Sequence, residues 1–175
     1  MGKMEKRVVV ANEDNAACIN ICLPAFDFEL FEDFELVMDF LNCLSKDRNI
    51  FLDACRLEEG SVEISSIKSQ IPGISRADRV VMCLSQLGVD VMHQNIFESL
   101  SVLVYIFEPC IGWEQFLSAC EASNWKCLAN SGHMVAKCSI TCDGYELSFS
   151  IRNDHYAKAN ELLAELDRRG YKIQW

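Results

Sequence analysis

Residues 134–152, with the sequence MVAKCSITCDGYELSFSIR, decide the fold of this chain. The dipeptide Asp143-Gly144 at their centre favours a two-residue hairpin turn, because both positions of such a turn take positive φ. Apolar residues occupy every second position on either side of it: Met134, Ala136, Cys138, Ile140 and Cys142 before the turn, and Tyr145, Leu147, Phe149 and Ile151 after it. The stretch therefore predicts two antiparallel strands that share one apolar face.

The turn also determines which residues face each other across the two strands. If Cys142 faces Tyr145, the apolar face consists of the pairs Ile140–Leu147, Cys138–Phe149 and Ala136–Ile151, and the polar face consists of Thr141–Glu146, Ser139–Ser148 and Lys137–Ser150. A slip of one residue would mix the two faces, so the pattern specifies a single register.

Periodicity predicts further elements near both ends of the chain. Residues 7–11 and 17–23 read as the strands of an N-terminal hairpin, whereas residues 26–44 and 113–120 show the period of amphipathic helices. A last helix, capped by Asn153 or Asp154 and ended by Gly170, precedes a short strand over residues 171–175. The apolar face of that helix consists of Tyr156, Ala159, Leu162, Leu163 and Leu166.

The middle of the chain carries mixed signals. Two pairs resemble capping boxes, Ser75 with Asp78 and Asn95 with Glu98, and we predict helices over residues 75–88 and 95–107 on that basis. The second helix competes with β-branched and aromatic residues at positions 100–107. Residues 49–57 fit a strand or a helix, residues 61–67 and 125–129 fit strands, and residues 72–73 fit a turn.

Together these patterns predict an α+β fold. Antiparallel hairpins and a β-meander pack with amphipathic helices, and the C-terminal part forms a β-β-β-α-β unit. A chain of 175 residues fits one domain, residues 1–175, with a weak subdomain division near residues 109–112.

The composition indicates the cellular compartment of the protein and the classes of partner that it can bind. The 10 cysteines are scattered inside apolar runs, and the charged N-terminal residues do not form a signal peptide, so we expect reduced thiols in a cytoplasmic protein. No apolar run approaches the roughly 18 to 20 residues of a membrane span, so we expect no membrane contact. Nucleic acid is a poor partner, because the 16 Lys and Arg residues are unclustered and the net charge is -10.

Acidic residues concentrate on the first predicted helix. Its polar side carries no Lys or Arg between Phe26 and Cys43, and its carboxylates are Asp27, Glu29, Glu32, Asp33, Glu35 and Asp39. Like charges three or four residues apart weaken a helix by a few tenths of a kcal/mol per pair. Either this face is simply solvated, or it binds a partner protein with a basic surface.

Recognisable catalytic and cofactor motifs are absent from the sequence. It contains no GxGxxG, Walker A, GxSxG, HExxH or CxxC pattern, and we expect no cofactor and no metal. Cys18 and Cys22, like Cys138 and Cys142, lie about 13 Å apart if each pair is on a strand, which is too far for both to bind one zinc ion. Cys110 precedes a helix and becomes a candidate nucleophile if the fold brings His133 or His155 close to it.

Three functions are therefore open. The first is a protein-binding inhibitor of the immunity or anti-defence type, not an enzyme, whose acidic helix blocks a basic protein that handles nucleic acid. The second is a chaperone or adaptor that binds a partner through apolar surface. The third is a thiol-dependent enzyme that uses Cys110. The charge distribution makes the inhibitor the first expectation.

Overall fold

The computed structural model describes residues 6–12, 18–23, 31–56, 73–76, 79–83, 99–121, 128, 132–141 and 146–175. These residues form nine strands and three helices. The strands are β1 (Arg7–Asn12), β2 (Cys18–Leu23), β3 (Asn49–Arg56), β4 (Gly73–Arg76), β5 (Arg79–Cys83), β6 (Ser99–Phe107), β7 (Met134–Thr141), β8 (Glu146–Arg152) and β9 (Lys172–Gln174). The helices are α1 (Phe31–Ser45), α2 (Trp113–Glu121) and α3 (Tyr156–Arg168), and a 3-10 turn, Asn153–His155, precedes α3.

All nine strands join in one sheet, in the order β4-β5-β3-β6-β7-β8-β2-β1-β9. Neighbouring strands are antiparallel except at one end, where β9 pairs parallel with β1. Strands and helices occur together but do not alternate regularly along the chain, so the α+β class is confirmed.

One face of the sheet carries the larger hydrophobic core. Alternate residues of β1, β2, β3, β6, β7 and β8 point into it, and α1 and α3 cover it with their apolar sides. Phe40 of α1 meets Phe149 of β8 edge to face, with ring centroids 5.3 Å apart. Val37, Leu41 and Leu44 of α1 are buried in the same cluster.

A second, smaller core lies on the opposite face, where α2 packs across β3 and β6. Phe116 of α2 stacks on Phe51 of β3 with ring centroids 4.3 Å apart. Tyr105 and Phe107 of β6 surround the same ring. This packing holds the start of α2 against the sheet end at which β6 stops.

From Ala136 to Ile151, the hairpin predicted from residues 134–152 is confirmed in register and in face. The prediction is wrong for Met134, which packs against the second core, because the ladder shifts at Val135: Ile106 pairs with Ala136 and Phe107 pairs with Met134. β7 and β8 pair Ile140 with Leu147, Cys138 with Phe149, and Ala136 with Ile151, and all six side chains are buried. The three polar pairs also occur as predicted. Asp143-Gly144 and the Cys142–Tyr145 pair lie outside the described residues.

The N-terminal predictions hold wherever they fall on described residues. β1 and β2 form the predicted antiparallel hairpin, with Ile19, Ile21 and Leu23 buried. Residues 31–45 form the predicted helix, but residues 26–30 are not described. Residues 49–56 resolve the open choice as a strand, and residues 61–67 lie outside the described part of the chain.

The two helices predicted from capping boxes are wrong where the structure describes them. Residues 99–107 form β6, because both sides of this segment are buried in a sheet covered on both faces and its apolar run therefore lacks alternation. Residues 73–76 and 79–83 form the hairpin β4–β5, so Gly73 lies in a strand and not in the predicted turn. The Val-rich run at positions 80–83 favours this extended form.

The C-terminal part follows its prediction with local corrections. Ala159, Leu162, Leu163 and Leu166 are buried in α3 as expected, but Tyr156 is exposed. Neither Asn153 nor Asp154 caps the helix through its side chain, since both lie in the preceding 3-10 turn. Gly170, with φ of 85°, follows the helix as predicted.

Of the strand predicted over residues 125–129, only Leu128 is described, and it is helical. None of the helices formed by the described residues is long and apolar enough to cross a membrane.

Candidate functional site

The structure describes the side chains of only two of the six predicted acidic residues. Glu35 and Asp39 are exposed, one turn apart, on the side of α1 that faces away from the core. Glu32 and Asp33 lie in the first turn of α1, where the backbone alone is described, and Asp27 and Glu29 are outside the described residues. The visible part of this surface is therefore a pair of exposed carboxylates on one helix.

A thiol and an imidazole lie close together where β6 ends and β7 begins. Cys110 Sγ lies 3.4 Å from His133 Nδ1, and both residues are exposed. Because β6 and β7 are antiparallel neighbours, the residues after β6 and the residues before β7 meet at one edge of the sheet. The topology thus joins two side chains that are 23 positions apart in sequence.

Backbone contacts hold the two segments in place. The amide of Glu108 donates a hydrogen bond of 2.9 Å to the carbonyl of His133. The amide of Ile111 donates to the carbonyl of Glu108 at 3.0 Å, which closes a tight turn around Cys110. The side-chain amide of Asn49 donates to the carbonyls on both sides of Cys110, that of Ile111 at 2.9 Å and that of Pro109 at 3.4 Å.

The Arg152 guanidinium connects the same two segments from β8. Its Nη1 donates to the carbonyl of Gly132 at 2.8 Å, and its Nη2 donates to Glu108 Oε1 at 2.6 Å. Its Nε and Nη2 also donate to the two carboxylate oxygens of Asp154, at 2.7 and 2.8 Å. A planar guanidinium suits this arrangement, because its donors point in fixed directions.

This ion-pair network determines the charges beside the thiol and the imidazole. The hydrogen bond from Arg152 lowers the pKa of Glu108, and the hydrogen bond from Arg152 likewise lowers the pKa of Asp154. Burial is the main cause that lowers the pKa of His155, assisted by the positive charges of Arg48 and Arg152. Arg48 joins the network through its Nε, which lies 3.6 Å from Glu108 Oε2. At neutral pH the network therefore contains two carboxylates, two guanidinium groups and an uncharged His155.

The two histidines proposed as partners for Cys110 have different roles. His133 contacts the thiol, whereas His155 Nε2 lies 3.5 Å from Arg152 Nη2 and 3.6 Å from Asp154 Oδ1. His155 thus belongs to the network that supports the site. The sequence placed Cys110 and His133 among its candidates, but Arg152 and Glu108 carried no motif that would single them out.

The remaining cysteines do not form a ligand cluster within the part of the chain that is described. Cys18 and Cys22 are half-buried on one face of β2, and Cys138 is buried in the main core, where burial raises its pKa. No group of three His, Cys, Asp or Glu residues among the described positions has the geometry to hold a metal ion.

Comparison with protein-family models, with curated proteins and with solved structures finds no match to this chain.

Proposed function

We propose that this protein is a thiol-dependent enzyme in which Cys110 is the nucleophile and His133 is its base. The observation that carries the proposal is the contact of 3.4 Å between Cys110 Sγ and His133 Nδ1. A thiol next to an imidazole is the arrangement that nucleophilic catalysis by cysteine requires, because the thiolate is the attacking species.

The chemistry needs only these two side chains and a substrate with an electrophilic carbon. His133 Nδ1 takes the proton from Cys110 Sγ, and the thiolate attacks the carbonyl carbon of an acyl donor such as an ester. The bond to the leaving group breaks, the imidazolium returns the proton to that group, and a thioester remains on Cys110. Water then hydrolyses the thioester, with His133 as the base. Both side chains are exposed, so substrate and water reach them from solvent.

An ester probe tests this chemistry. In a Cys43→Ser background, which removes the other exposed cysteine among the described residues, we expect p-nitrophenyl acetate to acylate Cys110, as detected by peptide mass spectrometry. Cys110→Ser should abolish the adduct, and His133→Gln should slow its formation by about 100-fold, the usual contribution of a positioned base. Equal acylation of Cys110 with and without the imidazole would reject the proposal.

A second candidate is the acidic protein-binding inhibitor. What supports it is the exposure of Glu35 and Asp39 on the outer side of α1, opposite the buried Val37 and Leu41. In this proposal the carboxylates bind the basic surface of a protein that handles nucleic acid and occupy its phosphate sites. No cation on α1 competes for them between Phe31 and Ser45.

The adaptor hypothesis gains no specific support from the described residues. Their exposed large hydrophobic side chains are Val9, Tyr156 and Trp175, which belong to β1, α3 and the segment after β9. It stays a prediction from the sequence.

A further inference from the structure

We propose that Arg152 is a positioning residue that holds the Cys110 thiol and the His133 imidazole in contact. The inference rests on the proposed thiol chemistry, since it concerns the geometry of that same pair. Arg152 does not touch either reacting atom in the described contacts. It acts through the two backbone segments that carry them.

The regular β6–β7 ladder ends just before the segments that carry Cys110 and His133. The β6–β7 ladder shifts register between Ile106 and Phe107, and Phe107 pairs with Met134, the first residue of β7. Beyond that pair, the amide of Glu108 donates a backbone hydrogen bond to the carbonyl of His133 and so links the two segments. Side chains add further constraints: Asn49 binds the turn that carries Cys110, and Arg152 binds both segments.

Arg152 supplies a link to each segment from one rigid group. It binds the carbonyl of Gly132, directly before His133, and the carboxylate of Glu108, two positions before Cys110. Gly132 has φ of 74°, a conformation that glycine adopts without strain. The guanidinium therefore fixes the distance between Gly132, which precedes His133, and the hydrogen-bonded turn from Glu108 to Ile111, which carries Cys110.

Asp154 keeps the guanidinium itself in one orientation. Its two oxygens accept bonds of 2.7 and 2.8 Å from Nε and Nη2, and the Arg152 side chain is only 19% exposed. A lysine at this position keeps the positive charge but cannot bind Gly132, Glu108 and Asp154 together, because an ammonium lacks the planar fork.

Loss of the Arg152 hydrogen bonds should change the reactivity of the Cys110 thiol more than the stability of the fold. A misplacement of about 1 Å at a reacting group costs on the order of 100-fold in rate. We therefore expect Arg152→Lys to lower the rate of Cys110 alkylation by iodoacetamide by about 10- to 100-fold at neutral pH. The pH dependence of Cys110 alkylation in Arg152→Lys should become the same as in His133→Gln.

The matched control is Arg169→Lys. Arg169 is also half-buried and ion-paired, with its Nε 3.0 Å from Glu165 Oε1, but it lies at the end of α3. This variant should keep the wild-type rate and pH profile. Thermal melting measures the loss of stability in both variants. A change in the pH profile of Cys110 alkylation is expected in Arg152→Lys alone, even if both variants melt at a lower temperature.

The outcomes distinguish this inference from the proposed function. If wild type and His133→Gln react alike, the proposed function fails and the inference fails with it. If His133 accelerates the wild-type reaction but Arg152→Lys keeps the wild-type profile, only the role of Arg152 is overturned. Should Arg152→Lys not fold, Asp154→Asn decides: a profile moved toward that of His133→Gln supports the inference, and an unchanged profile overturns it.

Discussion

Phe107, the last residue of β6, pairs with Met134, the first residue of β7, across a shift in the ladder. This pair marks the point at which the regular sheet ends and the segments bearing Cys110 and His133 begin. β6 lies between β3 and β7 in the sheet, so the site stands on a well-supported part of the fold although its two reacting side chains are exposed. Such an arrangement combines access to solvent with a fixed backbone.

The small core behind the site should influence the thiol. Phe116 is fully buried against Phe51, and replacing it by alanine should cost about 3–5 kcal/mol in the free energy of unfolding, measured by urea denaturation. Because this packing anchors the start of α2, Phe116→Ala should also change the alkylation rate of Cys110 in the folded protein.

Phe149→Ala is the matched control for that experiment. Phe149 is also almost completely buried but lies in the main core against Phe40, on the other face of the sheet. It should lose similar stability and leave the thiol reactivity unchanged. A change of reactivity in both variants, or in neither, would show that the α2 packing does not position Cys110.

The ion-pair network predicts how stability depends on pH. Folding lowers the pKa of His155, so as the pH falls the unfolded chain takes up a proton first, and stability should begin to fall near pH 6.5, the usual His value. Folding also lowers the pKa of Glu108 and Asp154, so a second loss should begin near pH 4 to 5 and continue downwards as these groups titrate.

Urea denaturation over this pH range checks both steps. His155→Gln should remove the upper part of the pH dependence, and Glu108→Gln should reduce the lower part. Parallel curves for wild type and both variants would mean that these groups do not contribute to the pH dependence of folding.

Two helix ends provide a test of backbone strain. Asp47, just after α1, has φ of 60°, whereas Gly170 after α3 has φ of 85°. Left-handed backbone costs a residue with a side chain about 1 kcal/mol, so Asp47→Gly should stabilise the protein by up to about 1 kcal/mol and Gly170→Ala should destabilise it by a similar amount. Thermal melting measures both, and a shift in the same direction for the two variants would contradict this account of the helix ends.

The second candidate function predicts a salt-sensitive complex with a basic protein. Reversal of Glu32, Asp33 and Asp39 to lysine should lower the yield of a partner captured at low salt from the native host at least tenfold, since it places like charges in contact. Reversal of three acids elsewhere, Glu114, Glu146 and Asp167, matches the change in net charge. Equal capture by both triple variants would reject the acidic face as the binding surface.

The sequence predicted the pairing of β7 with β8 from Ala136–Ile151 to Thr141–Glu146, because the alternation of apolar residues and the turn dipeptide together specify one register. It missed β6 because this strand is buried on both sides in a covered sheet, and its apolar run over residues 100–107 then resembles a buried helix. It also missed the β4–β5 hairpin, where it predicted a turn and a helix. The pairs Ser75–Asp78 and Asn95–Glu98, which resemble capping boxes, led to the wrong prediction of helices. The β-branched and aromatic residues of β5 and β6 favour strands, and the pairing of both segments with β3 agrees with that preference.

The site was predictable as two candidate residues but not as a contact. Cys110 and His133 were recognised by their chemistry, whereas their proximity follows from the pairing of β6 with β7. Once residues 99–107 are placed in a strand beside β7, their ends necessarily meet. The Arg152 network left no trace in the sequence, because Glu108, Gly132 and Arg152 come from three separate segments.

The most direct test of the thiol site is the pH dependence of Cys110 alkylation by iodoacetamide in the Cys43→Ser background, followed by peptide mass spectrometry. At a pH of about 6 to 7, where an ordinary thiol is mostly protonated, Cys110 should react at least about tenfold faster than in His133→Gln. An identical rate and an identical pH profile in the two proteins would contradict a nucleophile activated by His133.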